Sequence, residues 1–166
     1  MNDCILALSY IHAQGIRHND IKPANILFSE ERGAVICDFG LASSIDAKWT
    51  KCGTPGYLAP ELLDEEVENL RALDIWALGV AMLYVLRKIP LPELYAQWVI
   101  AHMGGANADA ATASDAMRSW LGRINDGLDE LENELAISQE PQRKLGNCVL
   151  EMLEKDATKR RMHLDI

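Results

Sequence analysis

The stretch HNDIKPANILF, residues His18–Phe28, places an acid, a lysine and an amide within a few positions of one another. It ends in a short apolar segment, and a second apolar segment, Ala34–Cys37, follows the polar sequence SEERG. Two apolar runs joined by a loop that contains glycine predict a β-hairpin. Asn25 directly precedes the first strand, and Asp38, which opens the tripeptide DFG, directly follows the second. The antiparallel strands therefore bring Asn25 and Asp38 together at the open end of the hairpin.

The polar residues around this hairpin match the chemistry of phosphoryl transfer. The amide of Asn25 and the carboxylate of Asp38 are oxygen ligands of the kind that Mg²⁺ takes, with phosphates and water completing its shell. Asp20 and Lys22 stand two positions apart in the preceding loop, so in an extended segment their side chains face the same way. Taken singly, an aspartate or asparagine in a loop is more often a turn former than a ligand. In this order they predict an acid that orients a hydroxyl, a cation that binds a phosphate and a pair of metal ligands.

The composition indicates a globular protein that does not bind nucleic acid. The 166 residues suit one domain or part of a larger one. A hydrophobic fraction of 49% argues against a disordered polypeptide. A net charge of −9 argues against a nucleic-acid partner, because neutralising phosphates requires clustered lysine and arginine.

The cysteines and the hydrophobic stretches predict the compartment. The four cysteines are scattered without a C-x-x-C pair, which indicates free thiols in a reducing compartment. The N-terminus lacks the basic start of a signal peptide. The most hydrophobic stretch, Ile75–Leu86, is too short to span a bilayer. We therefore expect an intracellular protein, cytoplasmic or nuclear, with no membrane partner.

Hydrophobic periodicity predicts four helices. Met1–Ala13 reads as an amphipathic helix, and Leu73–Leu86 is apolar nearly all round, which is typical of a helix buried at the centre of a domain. Leucine and isoleucine repeat at spacings of three and four through Leu121–Leu135, and we favour packing on the core over binding a partner. Gln142–Leu153 is the last predicted helix, and the small residues of Gly104–Ser114 predict a loop.

Four motifs in order resemble a known family. HNDIKPANILF, DFG, GTPGYLAPE and DIWALGV have the order and approximate spacing found in the C-terminal lobe of eukaryotic-type protein kinases, and the resemblance runs from Met1 to about Arg161. It implies a protein-kinase-like fold of the α+β family, with a mainly α-helical C-lobe, a small β-hairpin and no N-terminal lobe. Residues 1–166 would then form a partial kinase domain, from the helix before the catalytic loop to just past the late arginine motif. Both ends are expected to be truncated.

The resemblance implies roles for the polar residues and for the cofactors. Asp20 would be the catalytic acid that receives the proton of the substrate hydroxyl, and Lys22 would contact the transferred phosphate. The lysine in DIKPAN is similar to that of serine/threonine kinases rather than tyrosine kinases. Asn25 and Asp38 would hold Mg²⁺, with ATP as phosphoryl donor and a protein as substrate.

The resemblance also assigns the segment after DFG. Thr54, in GTPGY, would steady the catalytic acid and help the substrate-docking loop receive the substrate. Thr50 aligns with a common activating phosphorylation site of the activation loop. Asn19 stands where the family usually has an arginine that binds such a phosphate, and an uncharged amide cannot replace a guanidinium. Arg17, two residues earlier, would project to the same side as a weak substitute, and our hypothesis is that activity does not need phosphorylation at Thr50.

Other matched residues are implied to be scaffold. Glu61 would pair with the arginine of the late LEKDATKR motif, Arg160, and Asp74 would brace the catalytic loop from the buried central helix. His18 and Gly40 belong to the same structural group.

Three hypotheses follow from what the resemblance does not cover. We find no glycine-rich loop, strand lysine or helical glutamate, the N-lobe elements that cradle ATP, so we expect the chain alone to be inactive or nearly so. The chain is then a stretch of a serine/threonine kinase, a stand-alone C-lobe pseudokinase that binds or regulates other proteins, or half of a split kinase whose N-lobe is a separate polypeptide. An apolar surface at the missing lobe's position would be the mark of a partner-binding C-lobe.

Overall fold

The computed structural model describes residues 2–48, 50, 52–63, 69–92 and 110–161. Helices dominate this part of the chain: α1 is Asn2–Ala13, α2 is Arg71–Val85, α3 is Ala110–Ile137 and α4 is Gln142–Met152. The described strands are short: β1 is Ile16–Arg17, β2 is Ile26–Ser29, β3 is Gly33–Ile36 and β4 is Ser43–Ser44. The four predicted helices and the predicted hairpin are confirmed, with ends that shift by two residues or fewer except at the start of α3.

The start of α3 corrects one prediction. Residues 104–114 were expected to form a loop, but the helix already begins at Ala110. The run of small residues misled because alanine has the highest intrinsic helix propensity of any residue. The part of that predicted loop before Ala110 lies outside the described residues.

Helix α2 is the centre of the core. Leu78, Val80 and Leu83 are fully buried in it, and α3 and α4 both contact this helix. At Gly79 the packing leaves no room for a side chain, since an added Cβ would lie 2.8 Å from Leu153 Cγ on the segment after α4. The close approach of α4 therefore depends on the missing side chain, and the expectation of a covered central helix is met along most of its length.

The leucine stripe of α3 faces the core. Ile124, Leu131 and Leu135 are buried, and Leu121 and Leu128 pack against the same cluster while remaining partly exposed. Leu135 lies against Gly146 of α4, where an added Cβ would meet Leu135 Cδ2 at 2.4 Å. The favoured interpretation of this stripe, core packing, is confirmed.

The hairpin of β2 and β3 sits on α1. The two strands are antiparallel, with Ile26 opposite Ile36. The carboxylate of Asp3 in α1 accepts a hydrogen bond of 3.1 Å from the backbone of Ala34. Gly33 beside it has a φ of 69°, a left-handed conformation that glycine adopts without steric cost. This seat on α1 fixes where the open end of the hairpin points.

A second antiparallel pair joins the segment before His18 to the segment after DFG. Ile16 of β1 pairs with Ser44 of β4, and Arg17 pairs with Ser43. The four cysteines are free thiols. Among the described residues, no helix is both long and apolar enough to cross a membrane.

Candidate active site

Four of the predicted site residues meet around one carboxylate. Asp20 Oδ1 accepts a hydrogen bond of 2.6 Å from Thr54 Oγ1, and its Oδ2 lies 2.8 Å from Lys22 Nζ. The amide nitrogen of Asn25 donates to Oδ2 at 3.1 Å and to the Asp20 backbone carbonyl at 2.8 Å. Lys22 Nζ also donates to Thr54 Oγ1 at 2.8 Å. The loop before β2 and the distant segment at Thr54 are thus joined at Asp20.

The surroundings of Asp20 keep it ionised. Burial alone would raise the pKa of this half-buried carboxyl, but hydrogen bonds from Lys22, Thr54 and Asn25 and the charge of Lys22 outweigh burial and lower the pKa below its ordinary 3.8. At neutral pH the group is therefore an acceptor that can take a hydrogen bond or a proton from an incoming hydroxyl.

The open end of the hairpin holds the two predicted metal ligands. The backbone N–H of Cys37 donates to the Asn25 carbonyl at 2.9 Å, which ties the residue before β2 to the end of β3. Asn25 is buried, whereas Asp38 is exposed. Asp38 has a φ of 62°, and its Oδ1 accepts from Gly40 N at 3.3 Å. Non-glycine residues held in this left-handed conformation are often found at functional sites.

The donor set at this end fits magnesium bound through few protein ligands. Searching the described residues for three or more clustered His, Cys, Asp or Glu side chains finds no metal site. The side-chain nitrogen of Asn25 donates to Asp20. These hydrogen bonds identify the other atom of the amide as the oxygen, which remains available as a metal ligand. One such oxygen and one carboxylate suit Mg²⁺, which takes one or two carboxylates and completes its shell with phosphates and water.

Asp74 of α2 holds the start of the loop that carries Asp20 and Lys22. Its carboxylate, which is 2% exposed, accepts from the backbone of His18 and of Asn19, each at 2.8 Å. His12 of α1 adds a contact of 2.9 Å from Nε2. Asn19 has a φ of 66°, so this carboxylate fixes a backbone conformation that most residues avoid. The predicted brace is therefore in contact with the loop it was expected to hold.

His18 connects that loop with the DFG segment. Its ring nitrogen Nε2 lies 2.9 Å from the Cys37 carbonyl, and its Nδ1 accepts from the backbone of Asp20 at 3.3 Å, which assigns the proton to Nε2. The ring also meets Phe39 edge to face, with the centroids 4.9 Å apart. His18 has no exposed surface, so its contacts are those of a scaffold residue.

Arg17 and Asn19 converge on the segment that follows DFG. Both donate to Ser43 Oγ, Arg17 Nη2 at 3.1 Å and Asn19 Nδ2 at 2.9 Å. Arg17 Nη2 also donates to the Ala47 carbonyl at 2.6 Å, and Asn19 donates to the Leu41 carbonyl at 2.7 Å. Arg17 is fully buried, while Thr50 is exposed. Arg17 thus reaches the same place as Asn19, but there it binds the segment's own backbone.

The pair that was expected between Glu61 and Arg160 is in contact. Arg160 Nη2 donates to Glu61 Oε2 at 2.7 Å, and Nη1 contacts the other carboxylate oxygen. The Arg160 guanidinium also lies 4.7 Å from the ring centroid of Trp76. This pair of a buried arginine and a partly buried glutamate joins the segment after the GTPGY motif to the end of the described chain.

Two contributors were missed in the sequence. His12 had no signal that separated it from any other helix residue. Trp120 of α3 donates a hydrogen bond of 2.9 Å from its indole N–H to the Gly56 carbonyl. Trp120 was not included in the predicted stripe, although it stands four positions before Ile124, a spacing that could have indicated that it is buried but not what it contacts.

Comparisons with known proteins agree with this geometry. A family model described as protein kinase domain matches residues 1–164. The serine/threonine-protein kinase ppk34 of Schizosaccharomyces pombe is 43% identical over 93 residues, which cover 53% of this chain and 26% of that protein. Calcium/calmodulin-dependent protein kinase type 1B of Rattus norvegicus is 44% identical over 103 residues, 55% of this chain and 29% of that protein. The match thus spans under a third of either relative.

Proposed function

The chain belongs to the protein kinase family, and from that premise we propose that it is the catalytic lobe of a serine/threonine kinase. In the complete domain it transfers a phosphoryl group from Mg-ATP to the hydroxyl of serine or threonine in a protein. The observation that carries this proposal is the meeting of Thr54, Lys22 and Asn25 at the Asp20 carboxylate. The names of the relatives support the serine/threonine class.

Each side chain has a defined part in the proposed reaction. Asp20 accepts a hydrogen bond from the substrate hydroxyl and takes its proton as the new oxygen–phosphorus bond forms and the bond to the nucleoside diphosphate breaks. Lys22 supplies positive charge to the transferred phosphoryl oxygens, and Thr54 holds the Asp20 carboxylate in position. Asn25 and Asp38 would hold Mg²⁺, which neutralises charge on the phosphates when it is bound.

We further propose that residues 1–166 form a partial kinase domain and are inactive alone. Phosphoryl transfer depends on positioning and electrostatic stabilisation, and this chain carries no recognisable glycine-rich loop, strand lysine or helical glutamate. The hairpin supports the need for a cover: Leu27 is 59% exposed, Phe28 77% and Val35 44%. Leu27 and Val35 are opposite each other in the register and share one face, whereas Phe28 points to the other. An exposed apolar face of this kind is typical of a surface that another segment or protein covers.

The same exposed face keeps the two alternatives open. A stand-alone pseudokinase would use it to bind a partner, and a split kinase would use it to bind a separate N-lobe. We favour the family activity, because Asp20, Lys22, Asn25 and Asp38 are all retained, whereas a decayed pseudokinase often loses such residues.

The experiment that tests the proposal uses the natural polypeptide. The polypeptide is captured with an antibody against this region, and its intact mass is measured. Its Mg-ATP-dependent phosphorylation of serine and threonine peptides is then compared with that of the Asp20→Asn variant. We expect a mass above 18.4 kDa and activity that the substitution abolishes. A polypeptide of 18.4 kDa that binds a partner without phosphorylating it would favour the pseudokinase instead. Activity that appears only after a second protein is added would favour the split enzyme.

A further inference from the structure

The turn of the substrate-docking loop is made of buried residues. Pro55–Tyr57 forms a 3-10 turn, and the backbone N–H of Tyr57 donates to the Thr54 carbonyl at 3.0 Å. Thr54 at its start is held separately, by the Asp20 carboxylate and by Lys22 Nζ.

Helix α3 reaches this loop through one side chain. Trp120 is 2% exposed, and its indole N–H donates to the Gly56 carbonyl at 2.9 Å. The turn is also confined by Pro92, since a Cβ added at Gly56 would lie 2.6 Å from Pro92 Cβ. The backbone at Gly56 therefore has a fixed donor and a close wall, and its carbonyl is satisfied by a residue 64 positions away.

The helix that carries Trp120 is itself anchored beside the end of α2. Lys88 contacts Glu130 at 2.8 Å and also contacts Glu134. At Gly127 an added Cβ would lie 2.8 Å from the Lys88 carbonyl oxygen. An element held this closely to the central helix is a suitable support for a loop that has to keep one position.

We propose that Trp120 is a positioning residue for the substrate-docking loop, so that α3, a helix without a family motif, determines how tightly the protein substrate is bound. The inference rests on the proposed function, because it assigns the turn at Gly56 to substrate docking. Trp120 acts on the turn through the Gly56 carbonyl, and because it is 2% exposed its side chain is not presented to nucleotide or substrate. Removing its N–H should loosen the turn and weaken binding of the peptide, while ATP binding stays unchanged.

The test compares two tryptophans of the same core in the natural polypeptide. Trp120→Phe loses a hydrogen bond, whereas Trp76→Phe is the matched control, because Trp76 is equally buried and its indole N–H has no hydrogen-bond acceptor in the part of the chain that the structure describes. Loss of one neutral hydrogen bond corresponds to a rise of about fivefold in the KM for peptide. We expect that rise in Trp120→Phe alone, with kcat and the KM for ATP unchanged in both variants. Benzothienylalanine at position 120 removes the N–H but keeps the ring size, which separates the hydrogen bond from any loss of packing.

A second readout does not need activity. Hydrogen exchange at the amides of Tyr57 and Leu58 should be faster in the position-120 variants than in Trp76→Phe. An unchanged KM for peptide would overturn the proposal, even if exchange were faster, because Trp120 would then only stabilise the fold. If neither the parent nor Asp20→Asn phosphorylates anything, the proposed function fails and the substrate role of Trp120 fails with it, while exchange still decides whether Trp120 holds the turn.

Discussion

The region around Asp20 and the region of α3 and α4 are held together by different forces. Around Asp20, hydrogen bonds and ion pairs join residues far apart in sequence, such as Asp20 to Thr54 and Asp74 to His18. In α3 and α4, buried apolar side chains such as Leu131 and Val149 do most of the work. Polar contacts depend on direction and distance, whereas apolar burial depends mainly on area. Substitutions at Asp20 in the first region should therefore lower catalytic activity, and substitutions in the second region should lower the free energy of unfolding.

Asp20→Asn should have the largest effect and is the strongest test of this difference between the two regions. The amide cannot take the hydroxyl proton, so we expect kcat to fall by about 10²–10⁴-fold. The melting temperature should change little, because the amide oxygen still accepts hydrogen bonds. Kinetics and thermal unfolding of the natural polypeptide measure both. Retention of most of the activity would exclude Asp20 as the base.

Asp74→Ala tests whether a polar contact can also carry the fold. It leaves the backbone N–H groups of His18 and Asn19 without their acceptor and removes the contact to His12. Buried unsatisfied donors are costly, so the free energy of unfolding should drop by about 3–5 kcal/mol. Asp74→Asn, which keeps one acceptor oxygen, is the control and should lose less. Equal losses in urea denaturation would mean that the hydrogen bonds are not the cause.

Ile124→Ala examines the apolar region with a matched control in the same helix. Ile124 is 1% exposed and Ile137 is 88% exposed. Removing the buried side chain should lower the free energy of unfolding by about 3 kcal/mol, and Ile137→Ala should leave it unchanged within about 0.5 kcal/mol. The KM for peptide of the folded Ile124→Ala protein should match that of the parent. A larger effect on KM than on stability would blur the difference between the two regions.

Lys88→Met probes the polar contact inside the apolar region. Hydrogen bonds to Glu130 and Glu134 raise the pKa of Lys88 above its ordinary 10.5. A raised lysine pKa adds stability that is complete below 10.5 and is lost as the pH climbs through the raised value. Because both glutamates are more than half exposed, the loss at pH 8 should be about 1 kcal/mol or less. The difference between parent and variant in denaturant titrations should vanish at high pH, and a difference that grows there would contradict the assignment.

Thr50→Ala should have the smallest effect of all. Arg17 and Asn19 already bind Ser43, Ala47 and Leu41 without a phosphate. The variant should keep its activity within about twofold, since the Arg17 guanidinium is already bound to carbonyls of this segment. The peptide kinase assay decides this, and complete loss of activity would overturn the hypothesis. Arg17→Met, which removes the buried hydrogen-bond donors instead, should lower the activity more than Thr50→Ala does.

The sequence predicted most of the elements and the members of the site. Hairpin, central helix and leucine stripe follow from hydrophobic period and length, which are local properties. The resemblance supplied the roles of Asp20 and Thr54, and the structure adds their contact of 2.6 Å. Because the roles themselves are untested by geometry, they stay predictions until the kinetics are measured.

What could not be predicted depends on tertiary approach. No local pattern indicates that Trp120 meets the carbonyl of Gly56, since that contact requires the relative placement of α3 and the docking loop. The buried position of Arg17 is similar: a charged residue in a short strand predicts exposure, and its burial is compensated by hydrogen bonds to the Ser43 hydroxyl and to the carbonyls of Ser44 and Ala47. The early start of α3 at Ala110 was missed for a different reason, a choice between loop and helix in a run of small residues.

The hairpin has a practical consequence for anyone who handles residues 1–166 as an isolated polypeptide. It consists of two strands only, so β2 and β3 each have one side without a neighbouring strand in the described sheet. Unpaired edges beside side chains as apolar as Phe28, which is 77% exposed, are templates for association between copies. The colloidal state of such a sample should therefore change with protein concentration, and light scattering over a dilution series should precede any attempt at crystallisation.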